Sequence, residues 1–319
     1  MKRWIVGALA ALLSLGALAQ GYPDRAVRII VPLPPGGSPD TIARTLAQAL
    51  QGTWNQPVVV ENRLGGSQNI GADAVAKSPP DGYTWLLAPD NVFVTNPYLA
   101  KASSFDPLTE LAPVTLVARI QFLLVVHPSV PAKSVGELVA YAKAHPAELN
   151  FGSSGTGSPQ HLGSELLQQL SGIKMNHVPY KGAAPAVTDL LAGRIQVWIG
   201  AANSLLPHIR AEKVRVLATT ASQRFSVLGD TPTVAEAGVT GYSLYPWLAL
   251  FVPAKTPPEI VGRINSEVSK ILNSAEVKAR LVPQGMDLVT DSPDDLAALI
   301  RQEYASWGKV IRDGGIRAE

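Results

Sequence analysis

Four hydroxyl residues, Ser153, Ser154, Thr156 and Ser158, fall in one short stretch, interleaved with Gly152, Gly155 and Gly157 and followed by Pro159 and His161. That density suits one of two chemistries: attack by an activated serine, or reception of an anion by hydroxyl and backbone N–H donors. Gly152-Ser153-Ser154-Gly155-Thr156 lacks the final glycine of a nucleophile elbow. Ser154 and His161 also stand on either side of a helix start, too close in sequence for a productive pair. Anion reception fits better. Ser158 before Pro159 reads as an N-cap and first helical position, because proline's missing N–H is not needed there. The first-turn N–H groups have no intrahelical partner and form a receptor for negative charge. Ser153, Ser154, Thr156 and Gly157 are therefore candidate ligand contacts. His161 either donates an imidazole N–H to the ligand or bonds to nearby backbone.

The same construction occurs in Val31-Pro32-Leu33-Pro34-Pro35-Gly36-Gly37-Ser38-Pro39-Asp40. Pro35, Gly36, Gly37 and Asp40 join the candidates, and the two helix starts are expected to face each other across a cleft. Asn69, Asn91 and Asn203 can donate and accept, and Ala201 lies in a small-residue loop that allows close approach. Tyr180 offers a ring or hydroxyl, with core packing as the alternative. Asp90 either meets a donor on the ligand or turns away to cap a neighbour.

These residues need a scaffold, and the chain is long enough to supply one. With 319 residues, 46% hydrophobic and 16% charged, it can bury one large or two medium cores, and the length favours two domains. Short β-rich runs alternate with helical ones, the pattern of a two-lobed α/β protein with mostly parallel sheets. Val114–His127 and Tyr242–Val252 read as two crossover strands forming a hinge. Residues 20–120 and 248–319 are assigned to a first lobe and 121–247 to a second. In such sheets ligands sit beyond the carboxyl ends of strands, where the glycine loops fall.

Residues 1–19 read as an export signal: Lys2 and Arg3, an apolar run, then Ala17-Leu18-Ala19. A retained membrane anchor is the alternative, but the run is shorter than the roughly 20 residues a spanning helix needs. Setting aside Lys2 and Arg3 leaves 25 basic residues against 25 acidic ones. A near-neutral chain without a basic arm argues against nucleic acid. There is no cysteine, hence no disulfide framework, and the five histidines lack metal-ligand spacing. No cofactor is expected, and a monomer is.

Several motifs in combination resemble the Bug family, the periplasmic solute-binding proteins of tripartite tricarboxylate transporters. They are Pro34-Pro35-Gly36-Gly37 with Asp40 and Ala43-Arg44, Val58-Val59-Val60-Glu61-Asn62-Arg63 with Gly65-Gly66, Pro80-Asp81-Gly82-Tyr83-Thr84, Phe151-Gly152-Ser153 to His161-Leu162, and Val178-Pro179-Tyr180-Lys181-Gly182. The resemblance covers essentially the whole mature chain. It implies two α/β lobes closing on a small organic carboxylate, held by the glycine loops and delivered to membrane transporter components. Asp90 departs from the small, hydroxyl-rich pattern of that loop. An amino acid, aromatic acid or neutral amide therefore stays open beside a simple dicarboxylate, as does a sensor role.

Energetics adds one requirement. Micromolar binding needs about −8 kcal/mol, and a helix N-terminus supplies roughly 0.3 to 2 kcal/mol. Several charge-assisted hydrogen bonds, about 1.5 to 3 kcal/mol each, must act together. Closure of the lobes is expected.

Overall fold

The computed structural model describes residues 21–99 and 105–317; the expected export signal lies outside the described residues. Eleven strands form two sheets among them. In spatial order the first sheet is β11 (Met286–Leu288), β4 (Leu111–Ile120), β10 (Trp247–Pro253), β3 (Thr84–Pro89), β1 (Val27–Val31) and β2 (Val58–Asn62). The second is β7 (Asn176–Pro179), β6 (Asn150–Ser153), β8 (Val197–Ala201), β5 (Phe122–Val126) and β9 (Arg215–Thr219).

The expected parallel pairing holds where helices return the chain: β1 with β2 and β3, and β6 with β7 and β8. It gives way to antiparallel pairing around β4, β5 and β10. Parallel neighbours need a long crossover, whereas strands arriving from the other lobe do not. Each sheet is therefore mixed.

Helix α1 (Ser38–Trp54) follows β1 and buries Ile42, Leu46 and Leu50, spaced at helical intervals. Helix α2 (Asn69–Ala76) follows β2, and β3 runs into two single-turn helices, α3 (Asn91–Val94) and α4 (Asn96–Leu99). After α5 (Pro107–Glu110) comes β4. The second sheet is flanked by α6 (Val135–Ala144), α7 (Pro159–Ser171), α8 (Ala183–Leu191) and α9 (Ala202–Arg210). The chain closes with α10 (Pro258–Leu272), α11 (Ala275–Leu281) and α12 (Pro293–Asp313), of which α12 packs on β4. Trp85 and Trp247 are fully buried on strands of the first sheet, Phe151 and Trp198 on strands of the second. None of the described helices is long and apolar enough to cross a membrane.

The expected long strand Val114–His127 is two strands in different sheets, broken at Gln121. Its amide donates to Gly285 O at 2.8 Å, and its carbonyl accepts from Ala202 N at 2.8 Å. The expected strand Tyr242–Val252 begins only at Trp247. Pro246 has no N–H to add to a ladder, so regular pairing starts after it. The chain still crosses there, with Leu244 N bonded to Thr220 O and Pro246 O accepting from Ile120 N.

Candidate functional site

In the second lobe the loop after β6 is built as a rigid backbone surface. Gly155 and Gly157 have φ of +124° and +79°, conformations that side chains resist. Ser158 is the N-cap of α7, its Oγ accepting from His161 N, with Pro159 at the first turn as its type predicts. Ser153 is fully buried; its Oγ accepts the Gly155 amide and lies 2.6 Å from His177 Nε2. Ser154 donates to Gln160 Oε1 at 2.9 Å. Thr156 remains half-buried beside them.

His161 turns inward. Its Nδ1 accepts the Gly157 amide at 3.1 Å, and its ring stacks on His177 at 3.9 Å. Burial, and then the proximity of His177, push its pKa down to about 3. The imidazole is thus neutral at ordinary pH, an acceptor that fixes the loop.

Tyr180 is likewise committed elsewhere. Its hydroxyl donates to Asp189 at 2.8 Å, and burial, followed by that carboxylate, pushes the phenol up to about 12. Its backbone N–H bonds to Ser153 O at 3.0 Å, so it supports the loop from below. Ala201 ends β8 and Asn203 lies in the first turn of α9, both half-buried. The small-residue loop expected there is a strand passing directly into a helix, since alanine and asparagine at 201–203 are compatible with a helix start.

The first-lobe counterpart differs. Gly37, not Ser38, is the N-cap of α1, and it offers no side-chain bond. Ser38 falls inside the first turn, buried, with its Oγ left without a hydrogen-bond partner. Pro35 and Gly36 are exposed. Asp40 braces the loop: it accepts from Gly36 N at 3.0 Å, Arg44 Nε at 2.9 Å and Asn62 Nδ2 at 3.1 Å. Burial works against its charge, but the Arg44, Gly36 and Asn62 bonds prevail and hold the carboxyl below its usual range.

The loop after β2 winds through four consecutive residues with positive φ: Gly65, Gly66, Ser67 and Gln68. Ser67 and Gln68 are not glycine, and each costs about 1 to 2 kcal/mol in that conformation. An amide cluster offsets the cost. Asn96 Nδ2 donates to Ser67 O at 2.6 Å and Asn69 Oδ1 at 3.0 Å, while Asn91 Nδ2 bonds Gln68 Oε1. Asn69 and Asn91 thus bind each other's neighbourhood through Asn96. Asp90 is turned away: its Oδ1 accepts from Asn91 N at 2.7 Å and its Oδ2 from Trp247 N at 3.3 Å. Burial, then the nearby Glu303 charge, raise its pKa to about 7. Trp247 is a core residue, its indole donating to Glu303 at 2.7 Å.

The two sides touch where Thr95 Oγ1 donates to Gly157 O at 3.2 Å. The structure thus gathers Ser153, Ser154, Gly157 and His161 in one cluster, Asn69 and Asn91 in a second, and Asp40 with Gly36 in a third. Gln68, Thr95, Asn96, Gln160 and His177 were not read as site residues. Asn91, Thr95 and Asn96, spaced four and five apart after a strand end, carried a signal for three of the contacts.

The family model described as tripartite tricarboxylate transporter family receptor matches residues 42–316. The chain belongs to this receptor family. It is 37% identical over 316 residues to protein BugT of Bordetella pertussis, covering 98% of this chain and 97% of that protein. Among solved structures, R. palustris Rpa4515 with adipate is similar at 38% identity and TM-score 0.88, across 93% of this chain and 100% of that one. MatC from Rhodopseudomonas palustris with bound malate is similar at 31% identity and TM-score 0.82, covering 91% and 100%. As a member of the receptor family, this chain is a solute-binding protein.

Proposed function

We propose that this receptor captures a small dicarboxylate between its lobes and hands it to the membrane components of a tripartite transporter. The observation that carries the reading is that the acids at the candidate loops are already paired. Asp40 is tied to Gly36, Arg44 and Asn62, and Asp90 to Asn91 and Trp247. What remains is donors: first-turn amides, the Ser38 hydroxyl and Thr156 at the two helix starts, and Asn203 at the start of α9. Donors without a competing acid favour an anion over an amine or amino group. The adipate and malate held by the similar structures have the same chemistry.

In this reading residues 20–120 and 248–319 make one lobe and 121–247 the other, and the hinge runs past Gln121 and Pro246. The chain is exported by a cleaved signal at residues 1–19 and works as a periplasmic monomer. It binds without turnover: Ser153 lies fully buried and hydrogen-bonded, out of reach of a substrate carbonyl. Its contacts are Gly36, Gly37 and Ser38 on one side and Ser154, Thr156, Ala201 and Asn203 on the other. Calorimetric titration of residues 20–319 with malate, succinate and adipate, beside a diamine and a neutral diamide, tests this. Saturable binding of at least one diacid at micromolar or lower Kd is expected; binding of the amine or amide alone would overturn the reading.

A further inference from the structure

Thr95 is buried, and its hydroxyl stands 3.2 Å from two carbonyls: Asn91 O in its own lobe and Gly157 O in the other. A hydroxyl carries one proton and can serve only one of them at a time. With the lobes together Gly157 can take it; with the lobes apart Asn91 is at hand. The donor is satisfied in both arrangements, so its bond to Gly157 can form and break without stranding a buried polar group.

Leu99 adds an apolar half to this contact. Its side chain fills the space a Cβ at position 157 would occupy, so Gly157 is required there both by Leu99 and by its own φ of +79°. Leu99 also clusters with Leu162 of α7 and Ile311 of α12. Helix α7 packs on the second sheet and α12 on the first. The cluster therefore spans the lobes, directly behind the loop that begins α7.

We propose that Thr95 and Leu99 are positioning residues for closure: they seat on Gly157 when the lobes meet, and this contact sets the fraction of receptor that is closed. Apparent affinity scales with that fraction, so these residues govern ligand retention without touching the ligand. The proposal rests on the receptor reading above.

The chain has no cysteine, so spin labels at Gln51→Cys and Lys143→Cys, both exposed and one in each lobe, report lobe separation by pulsed EPR. Malate and adipate serve as probes. Thr95→Val, nearly isosteric, is expected to weaken binding about fivefold and to populate longer distances. Gly157→Ala should weaken it tenfold or more, and adding Leu99→Ala should restore at least threefold by making room for the new methyl group. A merely structural role would lower the melting temperature and leave the distances alone. Wild-type Kd, within twofold, and unchanged distances in both Thr95→Val and Gly157→Ala would overturn the proposal. If neither acid binds the wild type, the ligand class is wrong, and the ligand-free distances decide: longer in Gly157→Ala supports the contact, identical distances refute it.

Discussion

The two glycine loops look alike in sequence and are built differently. The second-lobe loop rests on neutral groups: the Ser158 cap, the Gly157–His161 bond and the His161–His177 stack. The first-lobe loop rests on an ionised one, Asp40, shared by Gly36, Arg44 and Asn62. Ser38 is left with a free hydroxyl where Ser158 is spent on its cap. A Gly-Ser-Pro string therefore marks a helix start to within one residue, while the residues three or four positions further on decide how the loop is held.

The comparison is broken most severely at His161. His161→Ala removes the acceptor for Gly157 and a buried ring, and should cost about 3 kcal/mol or more of stability by analogy with large-to-small core changes, read by urea denaturation. It should also weaken diacid binding. Asp40→Asn should cost about 1 to 3 kcal/mol, as Gly36, Arg44 and Asn62 lose a charged acceptor, with the loss shrinking in protein unfolded below the acid range where Asp40 is protonated anyway.

Titration separates the neutral and charged environments more gently. His161 has its folded pKa pushed down to about 3 from 6.5, so the unfolded chain takes up a proton that the folded one refuses. Its contribution is full above about pH 6.5 and is lost as pH falls toward 3. Asp90 has its folded pKa raised to about 7 from 3.8, so its contribution is full below about pH 4 and is lost as pH rises toward 7. Asp90→Asn should accordingly gain on the wild type by a few degrees in melting temperature between pH 5 and pH 8. No pH-dependent change in that difference would show that Asp90 ionises normally.

The smallest effects separate the two serines. Ser158→Ala should cost about 1 kcal/mol as a lost cap. Ser38→Ala should leave stability within a few tenths of a kcal/mol, because no hydrogen bond is broken, yet weaken diacid binding if its hydroxyl serves the ligand. Equal melting temperatures for the two variants would erase the distinction between the caps.

Much of this was legible beforehand. Alternating β-rich and helical runs showed the α/β class, since strand and helix periods differ by nearly a factor of two. The Ser158-Pro159 cap was legible because its rule is local. The breaks at Gln121 and Pro246 and the start of α9 were not, because tertiary pairing and not propensity decides where those elements end. For the candidate loops, sequence shows the glycine and proline pattern but not the hydrogen-bond partners. Asp40 and Asn91 are expected at the ligand, while types alone leave His161 and Tyr180 open between a ligand and a structural partner; in the structure all four hydrogen-bond within the protein. Polar residues near a binding loop are needed first to hold its strained backbone, and sequence does not tell a bracing role from a ligating one.

The most direct test of two braced loops sharing one diacid is solution scattering during titration of residues 20–319 with malate or adipate. The account predicts a radius of gyration that falls on addition of one equivalent and saturates with the calorimetric Kd. Saturable binding with an unchanged radius of gyration would contradict it.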